Sequence, residues 1–521
     1  MKCGLASMLL AALLAAPAWA EVKLPRILSD HMVLQREQPV TIWGWASPGE
    51  RVTVLFSRQD VSATADEKGN WSVKLAAMKA NAIAQDLTVN GRNTVKVLDI
   101  LVGDVWLCSG QSNMAFGLGG CNAAKDIETA NFPQIRFLSY WECFAGSPRA
   151  DITGPSWHRM DHNSAGGCTA VGFYFGRRIH RETNVPIGLL ESTVGGTEIE
   201  CWMPPEAFGD YPANAEIGRQ LQEAVGQYRK SLPKALDALD QWVKDARKAL
   251  AENAPLPPTP RLPGHPNEDR EHWVRIQSLY NGMIAPLEPL AIKGAIWYQG
   301  ESNGGEGDSY VEKKRALIET WRKRWGQEFP FYFVQLANFE KSSDNPAGGD
   351  GWAKCRMAQL ECLKFPRTGM AVSIDVGEAN DIHPKNKFDV GERLALWALA
   401  KDYGKKDLVY SGPLYKGMKV EGGKIRIEFD SIGGGLMAGR KDGRAPTVEV
   451  KDGKLKRFAI AGEDKKWVWA DAVIAGKAVV VSSPEVPKPV AVRYAFSMNP
   501  EGCNLYNKEG LPASPFRTDA W

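Results

Sequence analysis

Ile100-Leu101-Val102-Gly103-Asp104-Val105-Trp106-Leu107-Cys108-Ser109-Gly110-Gln111-Ser112-Asn113 begins apolar and largely β-branched and ends small and polar. The apolar part reads as a buried strand entering a sheet. Gly110 breaks it, and Ser112 follows two residues later. Open α/β sheets hold their ligands outside the carboxyl ends of the strands, so this reading leaves the Ser112 hydroxyl open to a substrate. A lone serine in such a turn is more often a helix N-cap. Ser112 is lifted above that by its company further on: Gly195-Gly196-Thr197, Gln299-Gly300-Glu301-Ser302 and Asp381-Ile382-His383-Pro384.

On either side of this stretch, strands alternate with helices over residues 101–405. Further buried strands are expected at 135–138, 186–191, 292–298, 331–336 and 370–375. Helices are expected at 171–182, from Ser309 to Gly326, and from Phe388 to about Tyr403. Ser309 and Glu312 have the spacing of a capping box. Such alternation implies a mostly parallel sheet with helices on both faces. Residues 206–275 interrupt it with apolar positions at helical spacing on either side of Pro233, then a proline-rich return from Leu256 to Pro266. That segment reads as an insertion, one kinked helix or a helical hairpin. Residues 21–100 and 406–521 show short strands of period two between Gly, Pro and Asn turns, the pattern of small β domains. The first of these is expected to be a sandwich.

The 521 residues are too many for one core. Apolar residues make up 44% and charged ones 24%, an ordinary globular balance. With 64 basic against 61 acidic residues the net charge is +3, which gives no reason to expect nucleic acid or an anionic membrane as partner. Residues 1–20 have the form of a secretory signal: Lys2, an apolar run, then Ala18-Trp19-Ala20. The run is too short for a membrane span, so a periplasmic or secreted protein is expected.

Cys3 lies in that leader and eight cysteines follow it. In an oxidising compartment disulfides are expected, with Cys121, Cys143, Cys168 and Cys201 the candidates. Cys355 and Cys362, seven apart on one helix, would lie roughly 10 Å apart, too far to pair. Cys108 reads as a core thiol. No Cys-x-x-Cys occurs, so a structural zinc site is not expected, and Gly433-Gly434-Gly435 lacks the lysine of a phosphate loop.

Ester hydrolysis by serine needs a hydroxyl, a base, a group that orients the base and donors for the oxyanion. Ser112 supplies the first. Of seven histidines, His383 is the best base, because it follows a strand end at the same sheet edge. His158, His162, His265 and His272 fall in irregular segments, and His180 within a helix. The backbone of Ser112 and Gly196 and the Gln299 amide are the expected oxyanion donors.

These blocks resemble those of the sialate O-acetylesterase family of the SGNH hydrolases. Gly110-Gln111-Ser112-Asn113-Met114 is similar to its nucleophile block, and 194–202, ending in Cys201-Trp202, to its glycine block. Trp297-Tyr298-Gln299-Gly300-Glu301-Ser302-Asn303 resembles the block in which Gln replaces an asparagine. Asp381-Ile382-His383-Pro384 with Asn386 and Lys387 resembles the histidine block. The likeness begins at Leu28-Ser29-Asp30-His31-Met32-Val33-Leu34-Gln35, runs to about residue 405, and continues less clearly to the end. It implies a flavodoxin-like three-layer SGNH domain and serine-dependent removal of acetyl groups from sugars, with no metal and no cofactor. Gln111, Asn113, Glu301 and Trp202 would then bind substrate or support the site. One departure stands out. The wider superfamily has Asp-x-x-His, but here Asn380 lies three before His383 and Asp381 only two. The expectation is a triad with Asp381. A backbone carbonyl in its place would leave a Ser112–His383 dyad. O-acetylated sialic acid is the first expected substrate, acetylated xylan or pectin the second. A non-catalytic sugar-binding protein is the reading from another class.

Overall fold

The computed structural model describes residues 21–521 except 141, 155, 267–275 and 452. The expected signal segment, Cys3, His272 and the end of the insertion lie outside the described residues.

Residues 100–110 lie on one continuous strand, Thr94–Gly110. Its first half pairs with Asn81–Asn90 in the N-terminal β region, and its second half is the middle of a parallel sheet. A domain boundary at 100 therefore falls inside a strand. In the N-terminal region we label Val40–Trp45 β1 and Asn70–Leu75 β2, which pair antiparallel. Thr94–Gly110 is β3. The central sheet continues with β4 (Asn131–Ser139), β5 (Ile187–Thr193), β6 (Gly294–Tyr298), β7 (Phe331–Gln335) and β8 (Thr368–Val372). Their order is β8-β7-β6-β3-β5-β4, all parallel, with antiparallel His158–Asp161 at the edge. The chain leaves β3 toward one edge, returns, and crosses to the other side. The switch point lies beside β3, where a ligand site is expected.

Side-chain alternation on β3 and β6 sorts the two helical layers. Trp106 and Cys108 face α2 (Ala170–Thr183): Trp106 meets Phe175 edge-on at 4.9 Å, and the Cys108 sulfur lies against Gly172. Helix α5 (Lys387–Asp402) covers the same face, where Trp397 meets Tyr332. On the other face Trp297 packs edge-on against Trp321 of α4 (Asp308–Trp325) at 5.8 Å. The architecture is three-layered as expected. Ser309 does not cap α4: the N-cap is Gly307, and the Ser309 hydroxyl donates to Glu306.

Within the insertion, Ala215–Ala251 form a continuous 37-residue helix, α3, that contains Pro233. Most of its residues are half-exposed or exposed. The helical hairpin is not formed. From Leu414 the chain builds antiparallel sheets around a second apolar core that includes Ile425, Ile427, Val479 and Phe516. No helix among the described residues is long and apolar enough to cross a membrane.

The disulfide expectation is corrected: no disulfide joins the eight cysteines among the described residues. Cys121 points its thiol at the Gly117 carbonyl, and burial pushes its pKa up to about 11. Cys143 is half-buried and unpaired, and Cys168 and Cys201 are buried among core residues.

Candidate active site

At the end of β3, Gly110 takes φ +130°, and a Cβ there would sit 2.2 Å from the Tyr298 carbonyl. Only glycine lets β3 run this close to β6 and then turn. The turn delivers a short helix, α1 (Ser112–Ala115), whose N-cap is Gln111 and makes no side-chain cap bond. Ser112 is therefore the first helical residue and does not cap. Its side chain is half-exposed, and a Cβ on Gly195 would lie 3.3 Å from the Ser112 Cβ. The nucleophile and glycine blocks thus touch. Gly196 is exposed, and its N–H and that of Ser112 have no acceptor among the described residues.

His383 reaches the same place through Phe116, one turn beyond Ser112. The two rings stack with centroids 5.7 Å apart and planes 15° apart. The imidazole is half-buried. Burial, then the Lys387 cation, hold its pKa below the ordinary 6.5.

The expected carboxylate–imidazole hydrogen bond is not formed. Asp381 Oδ1 accepts from the His383 backbone N–H at 2.9 Å, and Oδ2 pairs with Lys385 at 2.7 Å. The nearer oxygen is 3.9 Å from His383 Nδ1, beyond hydrogen-bond reach. The Lys385 hydrogen bond is the main cause holding the Asp381 carboxyl below the usual carboxylate range.

Three blocks meet on Asn113. Its amide donates to Glu301 Oε1 at 2.5 Å and to the Ile382 carbonyl at 3.0 Å, while its oxygen accepts from Lys387 Nζ at 2.5 Å. One buried side chain so ties the nucleophile turn, the Gln-Gly-Glu loop and the histidine loop. Gln111 adds a second tie, with Oε1 accepting from the N–H groups of Gly300 and Ser302 at 3.3 and 3.4 Å. The Glu301 Oε2 is buried without a partner, and burial raises its carboxyl. Lys387 is fully buried, 5.3 Å from the ring centroids of both Phe116 and Tyr298. Burial pushes it down to about 8.

Two placements differ from expectation. Gln299 is fully buried, and its amide donates to the Thr197 carbonyl at 3.2 Å and to Asn303 at 2.7 Å. Its oxygen accepts from Tyr310 at 2.9 Å. Both amide hydrogens are committed, so none is aimed at an oxyanion over Ser112. Trp202 is fully buried. Its indole N–H donates to Thr197 Oγ1 at 3.1 Å, and its ring meets Trp297 edge-on. It supports the glycine loop from below and touches no substrate space. Lys387, Thr197 and Asn303 belong to the site but were given no role from sequence. Lys387 carried one signal, its position four residues after His383 in the histidine block. Among the described residues no His/Cys/Asp/Glu cluster could hold a metal.

The chain matches the family model for carbohydrate esterase, sialic acid-specific acetylesterase, over residues 102–239 and 267–400. It is 30% identical to the sialate O-acetylesterase of Mus musculus, covering 94% of this chain and 93% of that protein. To the Homo sapiens enzyme of the same name it is 29% identical, over 94% and 91%. Among solved structures it resembles a carbohydrate acetylesterase from Xanthomonas citri. The TM-score is 0.78 and the identity 37%, with 96% of this chain and all of that one covered.

Proposed function

The chain belongs to the sialic acid-specific acetylesterase family of carbohydrate esterases, and from that premise we propose that it removes O-acetyl groups from sialic acid with Ser112 as nucleophile and His383 as base. The observation that carries this is Asn113, whose hydrogen bonds lock the Ser112 turn to the loop that bears His383. His383 takes the hydroxyl proton as the Ser112 oxygen attacks the acetyl carbon. The oxyanion is received by the free N–H groups of Ser112 and Gly196, a donor pair aimed where charge develops. Collapse expels the sugar oxygen, which takes the proton from His383, and leaves acetyl-Ser112. Water, deprotonated by His383, then releases acetate and restores the serine. Gln299 enters as the residue that holds the Thr197 carbonyl beneath the glycine loop. Asp381 enters as the acid that fixes the His383 backbone and lies 3.9 Å from its ring. The chemistry is thus carried by a Ser112–His383 dyad with a nearby carboxylate.

Export is part of this reading, supported by the signal-like residues 1–20. The exported protein would begin at Glu21, and N-terminal sequencing of the material recovered outside the cytoplasm checks it. A broader glycan acetylesterase is the second reading, favoured by the higher identity to the Xanthomonas citri carbohydrate acetylesterase. Acetate release from O-acetylated sialic acid, measured beside acetylated xylan, decides between them. Preference for the sialic acid is the expected result. Turnover of xylan alone overturns the sialate assignment and leaves the esterase chemistry standing.

A further inference from the structure

A second concave site lies far from Ser112. In β1 the side chains alternate, so that Thr41, Trp43 and Trp45 are half-buried on one face while Val40, Ile42 and Gly44 enter the core. The paired strand β2 sets exposed Ser72 opposite Trp43 and exposed Asn70 opposite Trp45. Two indoles two residues apart on one strand lie about 7 Å apart. Facing them, Arg149, Ala150, Ala285, Pro286 and Pro289 close a cleft of about 560 Å³. Ala285, Pro286 and Pro289 precede β6, whose far end carries Gln299. The cleft therefore lies at the amino end of the sheet. At least the length of that strand, roughly 17 Å, separates it from the catalytic edge.

Trp71, opposite Gly44, turns its ring into the core, so the open face of the ribbon is formed by the two indoles with Thr41, Asn70 and Ser72. Charge is nearly balanced: Arg149 contributes one cation, and Asp66 turns its carboxylate back onto the N–H groups of Lys68 and Asn70. A polyanion gains little there. Indole faces with scattered hydroxyl and N–H donors suit a ligand that has both C–H faces and hydroxyl edges.

We propose that this cleft is a second carbohydrate site that binds a neutral pyranosyl chain on Trp43 and Trp45. It holds a polymer on the enzyme while the acetylated sugar is processed at the opposite end of the sheet. The site stands whether or not Ser112 is the nucleophile, because binding requires no turnover.

Electrophoresis of the full chain through native gels containing soluble deacetylated arabinoxylan, β-glucan or galactomannan tests it. The wild type is expected to be retarded in at least one of the three. The Trp43→Ala/Trp45→Ala variant should bind that glycan about tenfold more weakly or less, the scale of losing stacked aromatic contacts. Hydrolysis of 4-nitrophenyl acetate should be unchanged in that variant. Ser72→Arg keeps both indoles and fills the cleft from an exposed position, so it separates ligand exclusion from misfolding. It should lose retardation too. Passage of the wild type unretarded through all three gels overturns the proposal, as does retardation of Ser72→Arg equal to wild type. A wild type that is retarded yet does not hydrolyse 4-nitrophenyl acetate would count against the Ser112 reading alone.

Discussion

The His383 imidazole is governed by what surrounds it. Burial and the Lys387 cation disfavour its protonated form, and the Lys385 cation acts the same way, while Asp381 opposes them. A general base works only when neutral. Because its pKa is depressed, the base form persists to lower pH, and kcat/KM should fall on the acid side with a midpoint below 6.5. Lys387→Met removes the cation at nearly constant volume, so the midpoint should move upward. A pH–rate profile of both proteins checks the shift, and an unmoved midpoint would detach Lys387 from the base. Asp381→Asn should cost at most about tenfold in kcat, about the effect of losing one weak contact, because the carboxylate makes no bond to the ring. A loss of several orders of magnitude would show that the ring and Asp381 come together during turnover. The sequence made Ser112 and His383 legible because each follows an apolar strand at the carboxyl edge. It did not reveal that the Gln299 amide is spent on Thr197 and Asn303. Thr197 comes from another loop about a hundred residues away, and nothing in a linear pattern says which neighbours an amide will meet.

Among the elements, the loops that leave β3, β6 and β8 are held together by one side chain. Asn113, in the turn after β3, gives one amide hydrogen to Glu301 after β6, and its other hydrogen and its oxygen to Ile382 and Lys387 after β8. Asn113→Ala should therefore lower kcat by about a hundredfold with little change in KM, since misplacement of reacting groups by an ångström can cost that much. Steady-state kinetics check this, and a raised KM at constant kcat would instead make Asn113 a substrate contact. Strands and helices of the catalytic layer were legible from apolar runs and periodicity, because both sheet faces are buried and every strand reads as apolar. Helix α3 was not resolved between one helix and two. Proline usually ends a helix, yet α3 continues through Pro233.

At the scale of the whole molecule, Arg356 stitches the catalytic sheet to the C-terminal β region. Its fully buried guanidinium donates to the carbonyls of Leu336 and Ala337 on one side and of Ser497 and Met498 on the other. Burial lowers its pKa to about 10, so it remains a cation at neutral pH. Arg356→Leu strands those carbonyls and should destabilise the protein by about 3 kcal/mol or more, on the scale of charged hydrogen bonds. Thermal unfolding checks this, and an unchanged melting temperature would show that the two regions hold without it. The sequence offered β domains at both ends but not their attachment. The Thr94–Gly110 strand belongs to two sheets at once, and a change of pattern along the chain marks no boundary where a single strand continues through it.

Ser112 is proposed to carry the acetyl group. Turnover of 4-nitrophenyl acetate by purified Ser112→Ala, with its melting curve recorded beside the wild type, tests this. An unchanged melting temperature is expected, with a kcat lower by about 10⁴-fold or more, as when a serine nucleophile is removed. Near wild-type turnover by the folded variant would contradict it.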